Sequence, residues 1–233
     1  KIMVTLNQIM NYSVRHLLID FNPVRDAERP KATGKIHKPK NMSILSTEQI
    51  RALVEAEQDE KYKILFLTAV MTGMRQGEII GLKWLDVDFE KKQIHVQRTF
   101  NHGRFFDPKT RESKRSIDLA PIVVRELAKW KLANGGQGDQ LVFPSKTGTP
   151  IAAFNLVRRH FLPALKKAGI PRVRFHDLRH TFASLLIAQG ENIKYIQNQL
   201  GHSSPTVTLN VYAHLMKDSN QEAACRLEKA IFQ

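Results

Sequence analysis

The sequence predicts an α+β fold, mainly α, with helices arranged around one small three-stranded antiparallel sheet. Three observations carry this. Apolar residues recur at helical spacing along most of the chain. The alternation of polar and apolar residues that marks strands is confined to the stretch from Gln93 to Leu119. No internal repeat is present.

The elements follow in order. Ile2, Leu6, Ile9, Met10, Val14, Leu17 and Leu18 form one helical stripe, which predicts a helix over Ile2 to Asp20. Asn22-Pro23 closes it, because a residue before proline is pushed out of the helical region. Arg29 to Lys40 is rich in lysine, carries Pro30, Gly34 and Pro39, and is nearly devoid of apolar residues, so it reads as a basic linker. Ser46 followed by Gln49 is a capping-box pattern and starts a new helix through Ile50, Leu53 and Val54. A helix from Glu60 to Thr72 stops at Gly73, and a short one runs from Arg75 to Leu82. Gln93–Arg98, Phe105-Phe106 and Ser116–Leu119 are the expected strands, with a turn at Pro108 to Ser113. Pro121 suits the first turn of a helix through Leu132. The glycine-rich loop from Asn134 to Asp139 lacks the Gly-Lys-Ser/Thr ending of a phosphate-cradling loop. Further helices are expected over Ala152–Ala168, His176–Gln189 and Ile193–Leu200, the last two closed by Gly190 and Gly201. A final helix, capped by Asp218, carries Ala223, Ala224, Leu227 and Ile231 along one side. That side is suited to docking on a neighbouring protomer or on its own domain.

Charge narrows the function classes. Lys plus Arg number 36 against 22 Asp plus Glu, a formal net charge of +14. Such an excess favours a polyanionic partner through counterion release and steering. The basic residues are spread along the chain and not gathered on one amphipathic helix, which argues against a membrane surface as the partner. No apolar run is long enough to cross a bilayer, and no signal-peptide-like segment opens the chain. Cys225 is the single cysteine, so an internal disulfide and a cysteine zinc cluster are excluded, as suits a reducing cytoplasm. The first residue, Lys1, falls within an amphipathic stretch, which reads as a fragment whose natural start lies upstream.

Two arginines, two histidines and a tyrosine suggest chemistry. His176 and Arg179 are three apart and share a face at the start of a helix, a place suited to anions. Arg75 also sits at a helix start, after Thr72-Gly73-Met74. His202 follows the helix-ending Gly201, and Tyr212 lies ten residues further on. Phosphoryl transfer needs positive charge on the non-bridging oxygens, a nucleophile and a proton donor for the leaving oxygen. A tyrosine with a pKa of about 10 is ionised to about one part in a thousand at neutral pH, a handicap of roughly 4 kcal/mol. A cationic pocket and a histidine base offset much of that. These residues therefore fit a metal-independent transesterification at a phosphodiester. His176 and His180 have the spacing of paired zinc ligands. However, Asp177 replaces the glutamate of that motif and Arg179 would set a cation beside the metal, so neither metal nor cofactor is expected.

Thr72-Gly-Met-Arg75-Gln-Gly-Glu78-Ile-Ile-Gly-Leu82 resembles the first arginine box of the tyrosine recombinase (phage integrase) family. His176-Asp-Leu-Arg179-His-Thr181 resembles the second box, and Leu200-Gly-His202 with Tyr212 resembles the third. Their order and spacing match from about Ser46 to the C-terminus. The resemblance implies the tyrosine recombinase catalytic-domain fold. It also implies that residues 1–28 are the C-terminal remnant of a helical core-binding domain, 29–45 a basic linker and 46–233 the catalytic domain. By the same resemblance, Arg75 and Arg179 clamp the scissile phosphate and His176 accepts the tyrosine proton. His202 hydrogen-bonds a non-bridging oxygen, and Tyr212 is the nucleophile that makes a 3′-phosphotyrosine. Lys109 matches the family's lysine that protonates the leaving 5′-oxygen, with Lys114 as competitor in the same turn. Arg111 and Arg115 are expected to touch the DNA backbone or solvent. Glu78 and Asp177 are read as carboxylates that orient an arginine or cap a helix. Tyr62 and Tyr195 are expected to pack in the core, and Tyr12 is a rival nucleophile only on paper.

The implied activity is site-specific integration or excision of a prophage or conjugative element in the bacterial cytoplasm. The implied partners are double-stranded DNA, a homotetramer on two duplexes and accessory DNA-bending or excision factors. The alternatives are relaxation of DNA in the manner of a type IB topoisomerase, and a catalytically silent DNA-binding module.

Overall fold

The computed structural model describes residues 2–27, 43–107, 114–202, 204, 206, 209 and 221–232. The chain divides into two compact units, Lys1–Asn41 and Met42–Gln233.

In the first unit, α1 spans Ile2–Arg15 and buries none of its residues. It ends before Asp20, where the apolar stripe had placed its limit. Leu17 takes a left-handed φ of 55°. The N–H groups of Leu17 and Leu18 turn back onto the carbonyls of Val14 and Ser13, at 3.1 and 2.9 Å. This is the Schellman way of closing a helix, here without the usual glycine. Asn22 then donates to the side-chain oxygens of Asn7 and Asn11 at 2.9 and 2.8 Å, which folds the following segment along α1.

The second unit opens on α2, Thr47–Ala56, with the expected capping box. Gln49 N–H donates to Ser46 Oγ at 3.2 Å, and Ser46 N–H donates to Gln49 Oε1 at 3.0 Å. Helix α3, Glu60–Thr72, is apolar almost all round and lies buried, as such a helix must. Helix α4 is short, Gln76–Ile80.

The three-stranded antiparallel sheet is present, but one of its strands differs from expectation. Its order is β1 (Val87–Asp88), β2 (Gln93–Val96) and β5 (Arg115–Asp118), with Ile94 opposite both Val87 and Ile117. Phe105 and Phe106 belong elsewhere. They lie in β4 (Arg104–Phe106), which pairs with β3 (Thr99–Asn101) in a separate hairpin. His102 and Gly103 at its turn both have positive φ, 48° and 76°, the geometry that matches strand twist in a two-residue turn.

Helix α5 spans Pro121–Asn134. The helix expected over Ala152–Ala168 is present in three pieces: α6 (Ala153–Asn155), a π-helical stretch (Leu156–Phe161) and α7 (Leu162–Lys167). Pro163 explains the widening. It lacks an N–H, and its ring would clash with the carbonyl four residues earlier in a regular helix. Helices α8 (Asp177–Ala188) and α9 (Ile193–Leu200) follow, and the C-terminal helix spans Gln221–Phe232. Asp218, its expected cap, lies outside the described residues. Leu227 and Ile231 are exposed.

The main core gathers around α3. A second, smaller cluster of Ala183, Ile187, Ile196 and Leu200 fixes α8 against α9. That cluster holds α9 in place, and the end of α9 carries much of the site. Among the described residues no helix is long and apolar enough to cross a membrane.

Candidate active site

The site is built where three chain breaks meet: the end of α3, the start of α8 and the end of α9. Helix α3 stops because Gly73 adopts a left-handed φ of 61°. A side chain there would also collide with Phe182, whose Cδ1 lies 2.5 Å from a built Cβ. The turn leaves the Gly73 carbonyl pointing at α8, where it accepts Arg179 Nη1 at 2.8 Å.

Arg75 follows as the N-cap of α4. Glu78 fixes it twice, accepting the Arg75 backbone N–H at 2.8 Å and its Nη1 at 2.8 Å. The Arg75 Nη2 reaches across the fold to the Gly201 carbonyl, at 3.1 Å. Its side chain stays 39% exposed, so an anion from solvent can meet it.

Arg179 lies in the first turn of α8 and is buried. Besides Gly73 it binds the Leu200 carbonyl through Nη2, at 2.5 Å. Arg115, at the start of β5, adds a third guanidinium. Its Nε donates to the Gln199 carbonyl at 2.7 Å, and its two Nη groups donate to the Glu78 carboxylate at 3.0 and 2.9 Å. Arg115, Arg179 and Arg75 thus cap the carbonyls of residues 199, 200 and 201 in turn. This is the negative end of the α9 dipole, a natural seat for cations.

His202 emerges from that same end. Gly201 turns left-handed at φ 64°, and His202 is tied to Gln197 in both directions: its N–H donates to the Gln197 carbonyl and its own carbonyl accepts Gln197 Nε2. Burial, and then the charges of Arg179, Arg75 and Arg115, push the imidazole down to about 4. His176 stands at the N-cap of α8. Burial, then His180, Arg179 and Arg174, push it down to about 4 as well. Its ring meets His180 edge-to-face, with centroids 4.9 Å apart. Both histidines are therefore neutral at pH 7, able to donate from one ring nitrogen and accept at the other.

Glu78 and Asp177 have the structural parts expected of them. Burial pushes the Glu78 carboxyl up, but the bonds and charge of Arg115, followed by Arg75, outweigh this and hold it at about 2. Asp177 accepts Arg174 N–H at 2.8 Å and Arg174 Nη2 at 2.6 Å, closing the first turn of α8.

The structure thus joins Arg75 and Arg179 to the end of α9 that carries His202 through hydrogen bonds, and sets His176 where it feels the Arg179 charge. Lys109 and Tyr212 lie outside the described residues, as does Arg111. Lys114 is exposed. Arg115 is a correction: its side chain is only 5% exposed and bound to Glu78, so it does not face solvent or a DNA backbone. The signal was available, because Arg115 shares a strand face with the buried Ile117.

The other tyrosines also separate. Tyr62 is buried and stacks on His160 at 3.4 Å between centroids. Tyr195, expected in the core, is at the surface and donates to Asp118 at 3.1 Å. Burial and the Asp118 charge push its phenol up to about 12, away from a nucleophile's need. Tyr12 is exposed, in the first unit.

Comparison with known proteins bears on the family and the fold. The profile of the phage integrase family matches residues 43–219. The chain is 33% identical to a tyrosine recombinase XerC-like protein of Caldanaerobacter subterraneus subsp. tengcongensis, over 76% of this chain and 52% of that protein. It is 28% identical to the ICEBs1 integrase of Bacillus subtilis, over 97% of this chain and 64% of that one. The chain therefore spans about half to two thirds of the length of these relatives. Among solved structures, the Tn1549 transposon integrase in complex with a circular intermediate DNA superposes with a TM-score of 0.73 at 23% identity, covering 97% of this chain and 77% of that one. A lambda integrase (75–356) dimer bound to a COC′ core site gives 0.61 at 23%, covering 88% and 72%. The motifs, the convergent arginines and histidines and the profile match lead to one assignment: the chain belongs to the phage integrase family and has the tyrosine recombinase catalytic-domain fold.

Proposed function

We propose that this chain is the catalytic part of a site-specific DNA integrase that cuts and rejoins DNA through a 3′-phosphotyrosine. The observation that carries the reading is that Arg75 and Arg179, from separate segments, meet at the end of α9 from which His202 emerges, with His176 within reach of the Arg179 charge.

The roles are those the family resemblance implies, and the chemistry of the groups supports them. Arg75, half-open to solvent, binds the non-bridging oxygens, and the charge of Arg179 supports it from beneath. His202 donates an N–H to one of those oxygens. His176, neutral at pH 7, takes the proton of Tyr212 as its oxygen attacks phosphorus. The phosphorus–O5′ bond breaks, Lys109 gives a proton to the leaving 5′-oxygen, and a 3′-phosphotyrosine and a free 5′-hydroxyl result. The phosphodiester energy is kept in the tyrosyl ester, so religation by the reverse steps calls for no nucleotide cofactor.

In this reading the partner is double-stranded DNA, and four copies act on two duplexes in the cytoplasm of a bacterium, with accessory DNA-bending or excision factors. Residues 1–28 are the end of a core-binding domain, 29–45 a basic linker and 46–233 the catalytic domain. The family membership and the name of the ICEBs1 integrase support a mobile element as the setting.

The test is a nicked DNA substrate whose cleaved end diffuses away. The protein is expected to form a DNA adduct that survives SDS, and Tyr212→Phe is expected to form none. Undiminished adduct from the Phe variant contradicts the nucleophile assignment.

A further inference from the structure

Arg115 carries a consequence for Arg75. One carboxylate, Glu78, joins the two guanidiniums: Arg115 donates to both of its oxygens, at 3.0 and 2.9 Å, and Arg75 takes Oε1 at 2.8 Å. Both Glu78 and the Arg115 side chain are buried. An ionised carboxylate buried this deeply needs its acceptor sites filled. With Arg115 absent, the open sites on Glu78 would draw Arg75 into a two-bond pair, because fork-to-fork pairing is the strongest arrangement available to that couple. Arg75 would then turn its outer edge away from an approaching phosphate.

A second contact ties Arg115 to His202. The Arg115 side chain lies against Gly201, where a built Cβ would stand 2.9 Å from its Cδ and 3.0 Å from its Nη1. Its Nε holds the Gln199 carbonyl, at the helix end from which His202 emerges. The same arginine closes, in sequence, the turn that contains Lys109.

We propose that Arg115 is a positioning residue for DNA cleavage, which acts by saturating Glu78 so that Arg75 presents its outer edge to phosphate. The proposal rests on the cleavage reading given above.

The experiment measures single-turnover adduct formation on nicked DNA, and DNA affinity separately, for the protein and for Arg115→Lys, Arg115→Gln, Glu78→Gln and the Glu78→Gln/Arg115→Gln double variant. Arg115→Gln is expected to cleave about ten- to a hundredfold more slowly, the scale of a misplaced reacting group. Its DNA affinity should stay within roughly threefold, and Arg115→Lys should fall between it and the parent. Because Arg115 acts largely through Glu78, the double variant should cleave within roughly twofold of Glu78→Gln alone. If Arg115→Gln does not fold, the comparison between Glu78→Gln and the double variant, in which no lone charge is left in the pair, decides the matter alone. Parental rates in Arg115→Gln overturn the proposal, as does a further tenfold loss in the double variant. Adduct from the parent with either of these results overturns this proposal only. No adduct from the parent overturns the cleavage reading and this proposal together.

Discussion

In the proposed mechanism Arg179 serves both fold and chemistry. It is buried, and its two Nη groups hold the carbonyls of Gly73 and Leu200, which belong to the ends of α3 and α9. Arg179→Gln should therefore slow DNA cleavage by about 10²–10³-fold, the cost of losing a preorganised charge beside a developing anion. It should also lower stability by about 1–3 kcal/mol, because buried acceptors lose their partner. Cleavage rates and thermal melts read the two effects separately. The histidines give a pH prediction. His176 and His202 are held near 4 against an unfolded value of about 6.5. Between these values the unfolded state binds more protons, so stability rises with pH across the window and is lost as pH falls from about 6.5 to 4. Melting temperatures at pH 7 and pH 5 should differ more for the parent than for a His176→Gln/His202→Gln variant; equal differences contradict the neutral-histidine state. The four side chains were legible as candidates through the box motifs on which the family resemblance rests, each at a helix boundary, but their meeting in space was not. Arg115 was misread although its strand face, shared with the buried Ile117, marked it as inward; only its partner Glu78, 37 positions away, had no local signal.

At the scale of elements, the helix ends decide the site. The sequence marks Ser46, Gly73, Gly190 and Gly201 as boundaries, and α2, α3, α8 and α9 begin or end close to them. Boundaries made without such residues were not legible. Helix α1 closes on Leu17 in a left-handed turn that no side chain announces, and the helix over Pro163 widens into a π stretch instead of ending. The strand that completes the sheet, Val87–Asp88, is too short to show an alternation. Gly73 tests the importance of a marked end. Gly73→Ala must hold a β-carbon at positive φ and against Phe182, so it should destabilise the protein by about 1–3 kcal/mol. It should also displace the carbonyl that Arg179 holds and slow cleavage. An unchanged melting temperature and rate would show that this turn does not set the site.

At the scale of the whole molecule, the fold class and the basic character were legible because they are sums over many residues. The convergence of Arg75, Arg115, Arg179 and His202 was not, because it depends on how α4, β5, α8 and α9 pack. The net charge of +14 predicts strongly salt-dependent DNA binding. If six to ten phosphates are contacted, affinity should fall by about 10³–10⁵ between 50 and 200 mM salt. A titration that shows no salt dependence contradicts a charge-driven DNA partner. The residue to which the DNA becomes attached is the decisive feature of the proposed mechanism. The adduct formed on nicked DNA can be digested with protease and nuclease, and the nucleotide-bearing peptide sequenced by mass spectrometry. The account predicts a phosphodiester link at Tyr212 and its loss in Tyr212→Phe; a link at any other residue contradicts it.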